Sequence, residues 1–193
     1  MFITTNSHRK NIDPFNCQEL IQGKHQHRYL LLKTLRQAQE KIIIVCPWLT
    51  RYSLNNNLIQ EFKNTLNRKV KIQINWGWQQ DIGNIIIPGN GCWEFKPSNT
   101  WKYDAISELQ KLKQFYPEHF QLKLIGTHAK ILVCDYKFAV ITSANILCSK
   151  PGNTDNCHEE IGIWTNNINS IQNLINSFAQ APNLAEKKLA RNI

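Results

Sequence analysis

Residues 127–145 read THAKILVCDYKFAVITSAN, and the fold of the chain is decided there. Two short apolar runs, 129–134 and 138–141, flank Asp135-Tyr136-Lys137. Both are rich in Ile, Val and Phe and too short for a helix, so they predict two strands joined by a tight turn. Alternate residues of a strand share a face, so His128 and Lys130 project together, as do Ser143 and Asn145. Folding the pair about Tyr136 sets residue 128 opposite residue 144 and gathers all four side chains at the open end. An imidazole, an ammonium, a hydroxyl and an amide together suit a phosphate group, with the imidazole as candidate nucleophile.

His-x-Lys alone is weak. With 6 His and 17 Lys in 193 residues, chance supplies about half a match per chain, the ordinary risk of a short motif. The sequence carries its own control in His8-Arg9-Lys10. That copy lies in a polar stretch without strand patterning, and five residues beyond its Lys stands Phe15. The copy at 128 has Asp135 at that offset, a strand on each side, and Ser143-x-Asn145 after it.

Outward from the hairpin, residues 1–24 are polar and poorly patterned and read as an N-terminal arm. Residues 27–40 place Leu31, Leu32, Leu35 and Ala38 at helical spacing. Residues 42–46 are apolar throughout, as a strand central in a sheet would be, and Pro47 ends them. Ser53 is placed to cap a helix running to 67, after which Val70, Ile72 and Ile74 alternate as a strand. Strand, helix, strand in that order implies a parallel pair. Residues 79–100, punctuated by Gly and Pro, predict a long loop or short hairpin. A helix over 101–116, a strand over 120–124, a loop over 146–158, a strand over 161–165 and a helix over 168–179 complete the pattern. The expected domain spans 25–181, with 182–193 a frayed tail. The fold class is α/β, a mixed, largely central sheet flanked by helices.

The balance of 23 basic against 14 acidic residues gives a net charge of +9, which favours polyanions such as nucleic acid or an anionic membrane surface. Six cysteines include no CxxC. Cys46 and Cys134 lie in apolar runs, where a thiol acts as a small hydrophobe. Cys148, Cys157 and His158 lack a fourth ligand and the spacing of a zinc site. No run approaches the ~18 apolar residues of a membrane span, and the N-terminus has no apolar h-region. Together these readings imply a cytoplasmic protein with reduced thiols and no stable membrane insertion. Trp76, Trp78, Trp93 and Trp101 cluster about the irregular stretch, where aromatic side chains either pack or stack bases. A rival nuclease pattern, Asp81 with Glu94-x-Lys96, could bind magnesium, but Pro97 follows at once and no strand surrounds Glu94.

His128-x-Lys130, Asp135 and Thr142-Ser143-x-Asn145, at these spacings, resemble the HKD motif of the phospholipase D superfamily. Glu160-Ile161-Gly162 fits the Glu and hydrophobic-Gly pair that follow in that family. The chain departs from the pattern in having Thr142 where Gly usually precedes the Ser. The resemblance runs more weakly from about His27 to Phe178 and implies a phospholipase D-like fold. It further implies that His128, Lys130, Ser143, Asn145 and Glu160 carry the chemistry, with no cofactor or metal ion required because Lys and His supply the positive charge. Asp135, at the turn, is expected to support the fold more than the reaction. Family enzymes use two such motifs, and this chain has one and no internal repeat, so a homodimer sharing one site is implied. The expected activity is endonucleolytic cleavage of DNA, or of RNA, through a phosphohistidine. The competing readings are a non-catalytic nucleic-acid module working with a helicase or ATPase partner, and a phosphatidyltransferase acting on lipid.

Overall fold

The strand Lys41–Cys46 (β2) runs through the middle of a seven-stranded sheet, and its KIIIVC sequence explains why. Ile42, Ile44 and Cys46 point to one face and Ile43 and Val45 to the other, and all five are buried, so both faces of β2 are covered. The computed structural model describes residues 18–88, 93–95, 101–148 and 160–185. Around β2 the described elements are β1 (Gln18–Gln22), α1 (Gly23–Gln37), α2 (Asn56–Asn67), β3 (Lys71–Trp76), β4 (Ile86–Pro88), β5 (Trp93–Phe95), α3 (Ile106–Phe115), β6 (Phe120–Leu124), β7 (Ile131–Cys134), β8 (Phe138–Thr142), β9 (Ile161–Thr165) and α4 (Ile168–Gln180).

The strand order is β1-β9-β8-β7-β2-β3-β6. β2, β3 and β6 are parallel, as the strand-helix-strand pattern requires, and the other neighbours pair antiparallel. On one face, Leu31 and Leu35 of α1, Leu58, Phe62 and Leu66 of α2, and Leu109 and Leu112 of α3 pack over Ile42, Ile44, Ile72 and Ile74. Phe62 meets Phe120 edge to face at 6.4 Å. Each such fully buried side chain contributes roughly 1.5–3 kcal/mol. On the other face α4, through Ile171 and Ile175, covers Ile43, Val45, Ile131, Val133 and Ala139.

The expected hairpin is present: Ile131 pairs with Ile141 and Cys134 with Phe138, leaving a three-residue turn. β4 and β5 form the short hairpin expected as one possibility in residues 79–100. Three expectations need correction. Gln18–Gln22 is not part of a free arm but an edge strand paired with β9, and helix α1 follows at once from Gly23. In QELIQ only Ile21 is buried, so no alternation betrays it; pairing with β9 makes it a strand. The cap of α2 is Asn55, whose Oδ1 accepts the Leu58 N–H at 3.1 Å, while Ser53 sits in the turn before it. Beyond Pro182 the chain does not fray immediately. Asn183 Oδ1 accepts the Leu124 N–H, and Leu184 donates its own N–H to the Leu124 carbonyl. Residues 1–17 and 186–193 lie outside the described residues.

Candidate active site

Beyond Ile131 the β7–β8 ladder continues for one more pair, since the Thr142 N–H donates to the Lys130 carbonyl at 3.1 Å. That register sets residue 128 opposite 144, at the open end of the hairpin. His128 is exposed there, and among the described residues its ring nitrogens have no hydrogen-bond partner. Desolvation, and then the positive charge of Lys130, hold its pKa below that of an ordinary histidine, which favours the neutral ring with its lone pair available. Lys130 folds back, its Nζ donating to the His128 carbonyl at 3.0 Å.

Ser143 joins the two sides of the site's rim. Its N–H donates to the Ile161 carbonyl, its Oγ accepts the Ile161 N–H at 3.0 Å, and the hydroxyl donates to Glu160 Oε2 at 2.5 Å. Glu160 therefore grips Ser143; the structure records no bond from it to His128 within one protomer. Asn145 anchors the next turn through its carbonyl, which accepts from Cys148 N–H. Its side-chain Oδ1, an acceptor, is buried without a partner among the described residues.

Asp135 is remote from this end. Its buried carboxylate accepts the N–H groups of Gln39, Glu40 and Lys41, with oxygen distances of 2.9–3.3 Å, and pairs with Lys137 at 3.2 Å. It thereby fastens the α1–β2 connection to the hairpin turn, where its own φ is 51°. Thr142, at the position of departure from the resembled motif, turns its Oγ1 towards α1, where it meets His27 Nε2 at 2.6 Å. His27 is buried and its Nδ1 meets the Gly23 carbonyl at 2.8 Å. A side chain at Gly162 would lie 2.9 Å from His27 Nε2 and 3.0 Å from Thr142 Cβ, which gives the Ile161-Gly162 pair a physical reason.

Sequence reasoning missed Trp48. It follows the C-terminal end of a central parallel strand, the place where α/β sheets carry their sites, and that position was the available signal. Its ring lies 6.1 Å from His128, and Trp78 lies 5.7 Å away. Lys102 sits over both indoles at 5.3 and 5.2 Å and is held by Asp81 at 3.2 Å. Asp81 also accepts from Tyr103 Oη at 2.6 Å and from Trp48 Nε1 at 3.2 Å. The rival metal pattern thus has its aspartate engaged in bracing these aromatics. Lys96 and the side chain of Glu94 lie outside the described residues, as do Cys157, His158 and the side chain of Trp93. Trp76 is buried against Tyr103 and belongs to the core. Trp101 is partly exposed beside a cleft that Trp48, Asn145 and Glu160 also line. Cys46 and Cys134 are buried free thiols, with burial the main cause of pKa values raised to about 11 and about 12.

A mixed sheet under helices, with an exposed imidazole, a lysine and a hydrogen-bonded Ser–Glu pair at the mouth of its central hairpin, defines an α/β protein. The chain belongs to the phospholipase D superfamily: residues 31–181 match the family described as cardiolipin synthase, PLD-like domain. No curated protein matches the sequence. Among solved structures it resembles NucT from Helicobacter pylori, with a TM-score of 0.57 and 18% identity over 86% of this chain and 95% of that one. It is similar to the phospholipase D family member Nuc from Salmonella typhimurium, with a TM-score of 0.57 and 12% identity over 86% and 93% of the two chains. Phosphatidylserine synthase from Haemophilus influenzae matches with a TM-score of 0.60 and 14% identity over 86% of this chain and 39% of its own length. At these identities the likeness is one of fold.

Proposed function

We propose that the chain is a metal-independent phosphodiesterase, an endonuclease cleaving DNA or RNA at a site shared by two protomers. The observation that carries the reading is His128: an exposed imidazole beside Lys130 with no hydrogen-bond partner at either ring nitrogen among the described residues. The two His128 rings of the shared site hold one proton between them: the lone pair of the neutral ring attacks phosphorus, the bond from phosphorus to the leaving oxygen breaks, and the partner's His128, which enters the step protonated, gives its proton to that oxygen. Water then attacks the phosphohistidine, giving its proton to the partner's His128 and freeing the first. Lys130 and the Asn145 amide stabilise the charge that grows on the phosphoryl oxygens, and Ser143, its hydroxyl proton held by Glu160, positions the rim beside them. A carboxylate such as Glu160 fixes the imidazole tautomer, and in this arrangement it does so across the two-fold axis.

Dimerisation is supported by a row of side chains running across the sheet. Leu20, Ile163 and Ile141 lie in register on β1, β9 and β8, followed by Ile131 and Val45. α4 covers the last two, while the first three are 60%, 49% and 50% exposed and suit burial against a second copy. The +9 charge favours nucleic acid as substrate, as do the names of NucT and Nuc. A helicase or ATPase partner and a cytoplasmic setting complete the proposal. Lipid is the second reading, favoured by the family description and the phosphatidylserine synthase match; no helix among the described residues is long and apolar enough to cross a membrane.

The test is covalent trapping. A labelled oligonucleotide quenched in alkaline denaturant should leave label on wild-type protein and none on His128→Ala. Label retained by the variant would dismiss His128 as nucleophile.

A further inference from the structure

Beside the candidate site, a cleft of about 430 Å³ opens between the N-terminal half of α1 and the segment after β2. That volume lies within the ~300–1,000 Å³ usual for pockets that take small ligands. Its floor includes Asn145 and Glu160, so it is continuous with the site, and Trp48 is a wall shared between the cleft and His128. Its outer walls are Tyr52, 56% exposed, and Trp101, 37% exposed.

The positive charge of the cleft comes from α1, and Glu160 adds one carboxylate, which is engaged by the Ser143 hydroxyl. Lys24 and Arg28 stand one turn apart on the helix and line it together. Arg28 gives one N–H to the Ser53 carbonyl at 3.2 Å, and neither cation is paired with a carboxylate among the described residues. Burial lowers the Arg28 pKa, a cost that an arriving anion would relieve. Lys24 and Arg28 line the cleft together with the aromatic side chains Trp48, Tyr52 and Trp101, a combination that suits a nucleotide, whose phosphate the cations attract and whose base an aromatic ring can stack.

We infer that this cleft is a base-binding subsite, which holds one unstacked nucleobase next to the scissile phosphate and so makes single-stranded nucleic acid the substrate. The inference rests on the phosphodiesterase reading for its scissile phosphate and deepens it. A base inside a duplex is stacked and paired, and reaches a side cleft only by flipping out of the helix at an energetic cost. In a single strand that cost is absent, and stacking on an aromatic face favours any base with little regard to its identity. Cleavage is therefore tolerant of sequence and selective for strand form.

The experiment measures binding by the full chain carrying His128→Ala, so that turnover does not intervene. The probes are a short single-stranded oligonucleotide, an abasic phosphodiester chain of equal length, a duplex of the same sequence, and vesicles containing phosphatidylglycerol. The single strand should bind about tenfold or more tightly than the abasic chain and the duplex. Adding Tyr52→Ala with Trp101→Ala should erase that preference, and Tyr52→Phe with Trp101→Phe should restore it. Both side chains are partly exposed, so folding, checked by circular dichroism, is preserved. Equal binding of the abasic chain, a preference that survives the double alanine variant, or preferential binding of the vesicles would each overturn the inference. If wild type cleaves no oligonucleotide while the preference holds, the nuclease reading falls and the base subsite stands.

Discussion

Replacing Asp135 separates two roles that its place in the resembled motif runs together. The residue is 3% exposed, and its carboxylate gathers three backbone donors, from Gln39, Glu40 and Lys41. Asp135→Ala leaves those N–H groups without an acceptor. Each buried donor left unsatisfied costs about 1–3 kcal/mol, and water entering the space recovers part of the sum. An alanine at a φ of 51° adds about 1 kcal/mol. The ion pair to half-exposed Lys137 adds little, about 0–1 kcal/mol. The expected loss is about 3–5 kcal/mol, which moves a urea midpoint down by roughly 2 M at an ordinary denaturant slope.

Asp135→Asn keeps one acceptor oxygen and tolerates the left-handed backbone, so it should cost about 1–2 kcal/mol. Burial pushes the Asp135 carboxyl up, but the N–H donors of Lys41, Glu40 and Gln39 together with Lys137 outweigh it, and the pKa is lowered. The charge-dependent stabilisation is therefore full above about pH 4 and disappears as pH falls through the lower folded-state value. The stability gap between wild type and Asp135→Asn should close in the same window. Urea titrations across pH, with phosphodiesterase assays on folded protein, read both quantities. An Asp135→Asn protein as stable as wild type but inactive would refute the reasoning and return Asp135 to the chemistry.

Gly162→Ala presses a methyl group against His27 and Thr142 and should cost about 1–3 kcal/mol, read as a lowered thermal midpoint. Lys130→Met removes a charge that opposes protonation of His128, so the His128 midpoint in an NMR titration should rise; a fall or no change would count against the coupling. Ile163→Glu places a charge in the middle of the exposed apolar row. It should leave circular dichroism and melting within about 0.5 kcal/mol of wild type while shifting sedimentation from dimer to monomer.

The sheet's interior was legible because its chemistry is local. From Ile42 to Cys46 β2 is apolar on both faces, and helices cover both, while β7 and the first three residues of β8 are likewise buried around a turn whose aspartate accepts αL geometry. The resembled motif then carried the family, since His128, Lys130, Ser143 and Asn145 take their relation from one hairpin register. What stayed hidden depends on partners distant in sequence. β1 is a strand only because β9 lies beside it, and Asn55 caps α2 where Ser53 had equal chemical claim. Trp48 approaches His128 only when two ends of the chain's central strands meet. His27 offers no sign in sequence that Thr142 lies against it, because 115 residues separate them.

The most direct test of the central claim is cleavage of single- and double-stranded DNA in excess EDTA by wild type beside His128→Ala. Cutting by wild type alone, favouring the single strand, is the predicted result. Cutting that needs magnesium and survives the substitution would contradict it and return attention to Asp81, Glu94 and Lys96.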